Sequence, residues 1–374
     1  MDWRSGRRAA ARIRHHPSRR PSLPPRLPIA PLGATIEIVT FFSALAALVA
    51  AGALYQALGA ARERRAFRPP GQLIDVAGHR LHVLCRGSGS PAVVFESGIA
   101  ASSLSWSLVQ PAVAAFTQAC AYDRAGLAWS EAPSCPRTFD RIVDEFATVV
   151  SHIAAGQRCV LVGHSFGSFV VRAYAARHPE RVAGLVLVDP PTEWLSVTRQ
   201  RERLLVGARR LSRIGAVLAH LGVVRASLAL LSGGAPAAPR RFAQLFGPTA
   251  ARTLERLVGE VRKLPPEVHQ IVQAHWSQPK CFQAMADYLR ALADEGAAIS
   301  ALCPPREVPL VVISAGNQPP DQIAAHQLLA DAAARGRVVV AERSAHWVQF
   351  DEPEIIVQVV RDLVEREHRR RDSS

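Results

Sequence analysis

The chain has 374 residues, of which 49% are hydrophobic, and it carries a formal net charge of +14 at pH 7. This hydrophobic content excludes a globally disordered chain, and the length suits one large α/β domain with insertions or two small domains. The positive charge alone would allow nucleic-acid binding, but the chain contains no basic motif with a recognisable reading element. We therefore expect no nucleic-acid partner.

The six cysteines include no C-x-x-C pair, so the sequence predicts neither a zinc site nor a thioredoxin-like site. Cys85, Cys120 and Cys159 fall in apolar segments predicted to be strands, where we expect small buried thiols. Cys281 and Cys303 could pair only if the domain faces an oxidising compartment. We expect no bound metal.

Two segments precede the globular part of the chain. Residues 1–34 are rich in arginine, proline and serine, a composition that predicts a disordered tail. Residues 35–59 contain the apolar run Ile36 to Leu58, in which the only charge is that of Glu37. As a helix this run is about 34 Å long, enough to cross a hydrocarbon core of about 30 Å.

Three interpretations of the apolar run stay open. Apolar side chains surround the predicted helix axis, which disfavours a buried helix of a soluble protein. Small residues near Ala57 resemble a signal-peptide cleavage site, although the run is long for a signal peptide. We favour an uncleaved anchor. Because eight arginines precede the run and four follow it closely, the positive-inside rule predicts a single-pass membrane protein with a cytoplasmic N-terminus.

The globular pattern begins after Pro69-Pro70-Gly71 with two strands that predict a hairpin. Apolar strands and helices then alternate up to residue 190, which predicts a mostly parallel sheet, of eight strands in all, with helices on both faces. The alternation stops over residues 191–305 and resumes over residues 306–368. We expect a core built from residues 71–190 and 306–368, and a helical cap inserted at residues 191–305.

The segment Gly163-His164-Ser165-Phe166-Gly167 gives the strongest signal for chemistry. It follows an apolar strand and precedes a predicted helix. A G-x-S-x-G at this place forms a sharp turn that exposes the serine hydroxyl at the strand tip. We expect Ser165 to be a nucleophile, and His346, just beyond the last predicted strand, to be its general base.

Five segments together resemble the α/β-hydrolase superfamily over residues 71–366. They are Glu96-Ser97-Gly98-Ile99, Tyr122 to Ser130, Gly163 to Gly167, Leu185 to Asp189 and Ser344-Ala345-His346. The resemblance implies the α/β-hydrolase fold and the chain order serine, acid, histidine. It also implies an oxyanion hole made by the backbone N–H groups of Phe166 and Ile99.

The resemblance leaves the acid partner open, because the loop where the family usually carries it has no acid at the usual position. Two candidates remain. Asp189 lies at the tip of the preceding strand, a position that some members of the family use, whereas Asp321 requires the loop to fold back past two prolines. We favour Asp189, although it would also suit a strand end without a catalytic role. Asp123 resembles a structural residue of the family that braces its loop together with Arg124.

These residues predict a membrane-anchored serine hydrolase that cleaves a carboxylic ester or related acyl bond of a small or lipid-like substrate. The reaction would pass through an acyl-serine and need no metal or cofactor. Acyl transfer to an alcohol on the same site is one alternative, and a membrane-tethered binding protein that keeps the fold without turnover is another. The serine disfavours the Asp-nucleophile chemistry of dehalogenases and epoxide hydrolases.

The cap sequence from Trp194 to Leu231 combines arginines with apolar residues at helical spacing. Such a helix either rests on anionic lipid headgroups or covers the core with its other face in water, and we favour the second interpretation. Four larger residues further along are expected in the cap core or lining its pocket: Trp276, Phe282, Met285 and Tyr288. The sequence leaves the exact substrate and the oligomeric state open.

Overall fold

The computed structural model describes residues 32–191, 199–232 and 259–373, so most of the predicted disordered tail lies outside the described residues. The chain forms two compact units, residues 1–48 and 49–374. The described part of the smaller unit belongs to helix α1, Leu32–Ala66. Within Ile36–Ala66 of this helix, an apolar window of 18 residues has a mean hydropathy of 2.1 and is not buried. It is long and apolar enough to span a membrane, and it also suits a signal sequence.

The larger unit contains an eight-stranded sheet. Its strands are β1 Gln72–Val76, β2 His79–Arg86, β3 Ala92–Glu96, β4 Ala119–Tyr122, β5 Cys159–His164, β6 Val182–Val188, β7 Leu310–Ala315 and β8 Gly336–Ala341. Their order across the sheet is β1-β2-β4-β3-β5-β6-β7-β8. Strand β2 is antiparallel to both of its neighbours and all other neighbours are parallel, which confirms the predicted sheet.

The predicted hairpin joins β1 and β2 through Ala77-Gly78. Both residues have positive φ, 49° for Ala77 and 89° for Gly78. A two-residue hairpin turn of this kind needs positive φ at both positions, because its twist then matches that of the strands.

Helices cover both faces of the sheet. The main α-helices after α1 are α2 Gln110–Ala114, α3 Phe139–Ala154, α4 Phe166–Arg177, α5 Arg199–His220, α6 Val223–Ser232, α7 Pro266–Trp276, α8 Pro279–Ser300, α9 Pro320–Asp331, α10 Val348–Asp351 and α11 Pro353–Asp372. On β5, Leu161 packs in the core beneath α3 and α4, whereas Val160 and Val162 pack in the core beneath α2 and α11. Because successive strand residues face opposite sides, a strand buried on both faces is apolar throughout.

The described residues between β6 and β7 form the helices α5 to α8, which we call the cap helices. They occupy the place of the predicted cap, of which residues 192–198 and 233–258 lie outside the described part. Helix α5 packs mainly along α8. The exact bounds of the cap and of the other segments stay predictions.

The expectation that Cys85 and Cys120 are free thiols is wrong. Strands β2 and β4 are antiparallel neighbours whose register places Cys85 opposite Cys120. Their Cα atoms are 4.1 Å apart and their sulfur atoms form a disulfide. This pairing joins strands that are not consecutive in the chain, so strand prediction alone did not reveal it. Cys159 is free and buried as expected, and Cys281 and Cys303 do not pair.

We expect alkylation of the denatured, unreduced chain to modify four cysteines, the four that are free in the structure. After reduction all six cysteines of the sequence should react. Peptide mass spectrometry should recover Cys85 and Cys120 in one cross-linked species. Modification of every cysteine without reductant, in protein isolated with thiols trapped, would contradict the disulfide.

Candidate active site

Ser165 occupies a tight turn between β5 and α4. Its backbone has φ 50° and ψ −118°, a conformation that suits glycine and strains serine. The neighbouring chain approaches closely on both sides: a Cβ on Gly163 would lie 2.7 Å from the carbonyl oxygen of Gly167, and a Cβ on Gly167 would clash with the carbonyl oxygen of Glu96. The G-x-S-x-G spacing is therefore a packing requirement of this turn, which presents the serine at the tip of β5.

The structure brings Ser165, His346 and Asp189 into one hydrogen-bonded chain. The Oγ of Ser165 lies 3.0 Å from Nε2 of His346, and Nδ1 of His346 lies 2.7 Å from Oδ2 of Asp189. Asp189 is 1% exposed, whereas the imidazole is one-third exposed. If Nδ1 carries the proton that Asp189 accepts, Nε2 is free to accept the proton of the serine hydroxyl.

Asp189 is held as a carboxylate. Its Oδ1 accepts a hydrogen bond of 3.1 Å from the backbone N–H of Ala315, and its Oδ2 accepts one of 2.6 Å from the side chain of Gln318. Burial alone would raise its pKa, but the hydrogen bond and charge of His346, with these two donors, bring the pKa below its ordinary value. The carboxyl therefore stays ionised at neutral pH.

The other acid candidate lies elsewhere. Asp321 is exposed in the first turn of α9. The loop before α9 instead contributes Gln318, which donates to the carboxylate of Asp189. Asp189 is thus the carboxylate that the fold places against His346, and sequence reasoning missed the part played by Gln318 because an amide at this position carries no motif signal.

His164, next to the serine in sequence, does not take the position of the base. Its ring is fully buried, and its Nε2 donates to the backbone carbonyl of His346 at 2.8 Å. Burial, followed by the charge of the His346 imidazole, lowers the pKa of His164 to about 3. His164 is therefore neutral at physiological pH and supports the loop that carries His346.

The two expected oxyanion donors lie on either side of the serine. Phe166 is the first residue of α4, and the backbone N–H groups of a first helical turn have no acceptor within the helix. Ile99 follows Gly98 in the loop after β3, and a Cβ on Gly98 would lie 3.7 Å from the Cβ of Ser165. The loop thus passes directly over the serine, and the role of the two N–H groups stays a prediction.

Arg124 holds this loop in place, a role that the sequence did not reveal. Its guanidinium donates to the carboxylate of Glu96, to the carbonyl of Ser97 at 2.6 Å and to the carbonyl of Gly98. It also lies over the ring of Phe166, 5.1 Å from the centroid. A single buried cation, 2% exposed, therefore contacts both segments that supply the expected donors.

Asp123, expected to brace its loop together with Arg124, faces a different set of partners. Its carboxylate accepts from the backbone N–H of Ser103 at 2.7 Å and lies 2.8 Å from Nδ1 of the buried His82. Both contacts tie β2 and the segment after β3 to the loop after β4. In the described ranges, no group of three or more His, Cys, Asp and Glu side chains is placed to hold a metal ion.

We expect Ser165→Gly to be more stable than Ser165→Ala. Both variants lose the hydroxyl, but only glycine relieves the strain at positive φ, which outweighs the entropy that glycine adds to the unfolded chain. The two variants should differ by about 1 kcal/mol in free energy of unfolding. The shift between their midpoints of thermal unfolding in detergent micelles measures this difference. Equal midpoints would show that the strain does not exceed the entropic cost of glycine, which would contradict the prediction.

We expect Arg124→Met to lower the free energy of unfolding by about 3–5 kcal/mol, because it leaves Glu96 buried without its cation. Burial already raises the pKa of Glu96. The double variant Arg124→Met with Glu96→Gln removes the unpaired charge and should recover part of the loss in urea denaturation. A double variant no more stable than Arg124→Met would contradict the role of this ion pair.

Comparison with known proteins places the chain in a family. A family model described as alpha/beta hydrolase fold matches residues 91–353. The chain is 31% identical over 212 residues to a 2-hydroxymuconate semialdehyde hydrolase of Pseudomonas sp. (strain CF600), covering 53% of this chain and 74% of that protein. It is 30% identical over 145 residues to a haloalkane dehalogenase of Sphingobium indicum, covering 37% of this chain and 49% of the relative.

The chain spans less than half the length of that dehalogenase and of several other curated relatives that it matches. Among solved structures, an epoxide hydrolase of Bacillus megaterium has a TM-score of 0.57 at 17% identity, covering 79% of this chain and 100% of that one. An esterase of Exiguobacterium antarcticum has a TM-score of 0.57 at 16% identity, with coverage of 79% and 99%. At such low identity these structures establish the fold alone, but the family match extends over more than half of the chain. The chain belongs to the α/β-hydrolase fold family.

Proposed function

We propose that the chain is a serine hydrolase that cleaves a carboxylic ester or a related acyl bond. The observation that carries this proposal is the hydrogen-bonded chain from Ser165 through His346 to Asp189, with distances of 3.0 and 2.7 Å. A serine hydroxyl is a poor nucleophile until a neighbouring base takes its proton. The strained turn presents this hydroxyl at the strand tip, where a substrate can approach it.

In the proposed mechanism, Nε2 of His346 takes the proton of Ser165 as the Oγ attacks the acyl carbonyl. The negative charge on the carbonyl oxygen is received by the backbone N–H groups of Phe166 and Ile99. The imidazolium, stabilised by Asp189, then gives its proton to the leaving alcohol, and an acyl-serine remains. Water, deprotonated by His346, attacks this ester and releases the acid and the free enzyme. Each step uses groups of the chain and water, so no metal or cofactor is required.

The serine also argues against the carbon–halogen and epoxide substrates suggested by the names of some relatives. Attack of a serine oxygen on a saturated carbon would form an ether, which water does not cleave under these conditions. Attack on an acyl carbon forms an ester, which the same base can hydrolyse. A turnover cycle that passes through Ser165 therefore favours acyl substrates.

A small, mostly apolar cavity of about 30 Å³ lies near the site. It lies against Trp347, the residue that follows His346. Its apolar side chains are Leu104, Val261, Leu264, Val272, Trp276 and Phe350. The cavity is too small to hold a substrate as it stands, and its lining indicates only that an acyl group entering here would meet apolar side chains.

We expect a fluorophosphonate probe to label the folded wild-type protein at Ser165 and to leave Ser165→Ala unlabelled. The probe reports on an activated serine and requires no knowledge of the natural substrate. Absence of a Ser165 adduct in folded wild-type protein would falsify the proposal that the chain is a serine hydrolase. It would favour a binding protein that keeps the fold.

Two aspartate variants form a matched pair for the acid. Asp189→Asn should lower ester hydrolysis by about three to four orders of magnitude, because the amide no longer holds the productive tautomer of His346. Asp321→Asn, at an exposed position, should stay close to wild type. Loss of turnover in Asp321→Asn alone would overturn the assignment. Turnover of p-nitrophenyl esters of increasing chain length measures the effects of both variants. It also shows which acyl chain length the wild-type protein hydrolyses fastest.

We further propose that α1 anchors the protein as a single-pass membrane helix with a cytoplasmic N-terminus. Its apolar window is exposed and carries a mean hydropathy of 2.1. The Cys85–Cys120 disulfide supports a position of the hydrolase unit outside the reducing cytosol. This orientation agrees with the excess of arginines before the apolar run.

We expect the wild-type protein to remain in the membrane pellet after alkaline carbonate extraction. Leu48→Arg places a charge near the centre of the apolar run at a cost of about 3 kcal/mol and should weaken this retention. Leu328→Arg is the control, since Leu328 on α9 is exposed to a similar degree, 73% against 70% for Leu48. Release of wild-type protein by carbonate would contradict a spanning α1.

A further inference from the structure

Helix α5 has one face covered by the protein and an exposed half on which large apolar side chains alternate with arginines. Leu205, Ala216 and Ala219 are buried, and Gly215 lies against Phe282 of α8. The other face exposes five large apolar side chains: Leu204 (62%), Val206 (46%), Leu211 (40%), Ile214 (42%) and Val217 (59%). We call these five residues the outer face of α5. A cap helix with this half in water would carry fewer large apolar side chains there.

Arginines lie among the residues of the outer face. Arg203, Arg210 and Arg213 are exposed on the same helix. No acidic residue occurs between Arg203 and His220 in the sequence. Exposed apolar side chains interleaved with arginines are the composition of helices that lie in a membrane interface, with the apolar groups in the acyl region and the cations at anionic headgroups.

The corner between α5 and α6 is fastened to the part of α1 that belongs to the larger unit. A Cβ on Gly52 would clash with the carbonyl oxygen of Leu221. Gly222, at φ 71°, lies equally close to α1, where a Cβ would be 2.7 Å from the carbonyl oxygen of Gly52. Two glycines thus allow the two backbones to touch.

A buried guanidinium strengthens this contact. Arg225 of α6 donates to Gln56 of α1 at 2.9 Å, to Glu63 of α1 at 2.9 Å and to Ser277 after α7 at 2.8 Å. Gln56 in turn donates to the carbonyl of Ser277 at 3.0 Å. Arg225 is 8% and Gln56 is 5% exposed. Because a buried charge is costly unless it is paired, this network holds the cap helices to α1 in one arrangement.

The same stretch of α1 exposes apolar side chains of its own. Leu54 is 59%, Tyr55 is 47% and Leu58 is 62% exposed. We propose that the outer face of α5 docks on the anionic surface of the bilayer into which α1 inserts, so that the cap rests on the lipid. This inference relies on the proposed membrane anchor.

A second copy of the chain is a poorer occupant of the outer face. A symmetric pair centred on the outer face would bring Arg210 of one copy close to Arg210 of the other, and Glu202 is the only acid of α5 that could balance its arginines. Anionic headgroups neutralise these charges while the acyl region covers the apolar side chains.

The test uses the full chain reconstituted in vesicles of phosphatidylcholine, with or without phosphatidylglycerol, that contain nitroxide-labelled lipid. In a background with Cys135 and Cys303 changed to serine, a bimane label is attached at Val217→Cys on the outer face. The control is Leu328→Cys on α9, where the native leucine is 73% exposed. We expect the lipid nitroxide to quench the label at position 217 at least about twofold more than the label at 328. Equal quenching at the two positions overturns the proposal.

Charge provides a second arm. Quenching at position 217 should rise with phosphatidylglycerol, and the triple change of Arg203, Arg210 and Arg213 to glutamine should remove this rise. The matched control changes three exposed arginines outside the cap to glutamine: Arg306, Arg335 and Arg366. This control should keep the rise of quenching with phosphatidylglycerol. A rise that survives in the α5 triple variant excludes the arginines as the lipid contact.

Carbonate extraction of the same vesicles separates this proposal from the anchor. Release by carbonate with strong quenching at position 217 means that α5 docks although α1 does not span. Retention without such quenching means that α1 spans and the docking proposal is wrong. A second copy on the outer face would instead give label-to-label self-quenching without any effect of the lipid nitroxide.

Discussion

Neighbouring parallel strands end at one edge of the sheet, and the register between β5 and β6 sets the whole site. His164 pairs with Val188, so the residues that follow, Ser165 and Asp189, leave the sheet side by side. Backbone hydrogen bonds continue past the strand ends, from Ser165 to Val188 at 3.0 Å and from Asp189 to Ile313 at 2.7 Å. A shift by one residue between the two strands would move Ser165 and Asp189 out of this side-by-side position. The positive φ of both residues is supported by these bonds.

Buried polar groups then fix the loops around this edge. Arg124 ties the loop after β3 to the loop after β4 by pairing with Glu96 and with two carbonyl oxygens. His164, neutral because it is buried, supports the backbone of His346. Each of these groups would be costly if left without a partner, so the arrangement resists local rearrangement. Such rigidity is what a preorganised site for acyl chemistry needs.

The cap helices depend on a third buried group. Arg225 connects α6 with α1 and with the end of α7 through three side chains. The helix that we propose as the anchor is thereby packed against the cap as well as leading into the hydrolase unit.

Much of this architecture could be predicted from local sequence patterns. Short apolar runs separated by helical segments predicted the eight strands and the helices that cover them, and the G-x-S-x-G segment predicted the turn at Ser165, because these features depend on residues close together in the chain. His346 could be chosen among the histidines because it follows the last strand. The disulfide between Cys85 and Cys120 could not be predicted from local patterns, since it depends on β2 pairing with β4 rather than with β3.

The same distinction applies to the site and the cap. The sequence by itself determined the serine, its turn, the fold family and the apolar character of α1, all of which are local or periodic properties. Only the tertiary structure decided that Asp189 and not Asp321 faces His346, that Arg124 braces the loop over the serine, and that Arg225 fastens the cap to α1. Each of these contacts joins residues far apart in the chain, and their partners are set by strand register and helix packing, which no local pattern encodes.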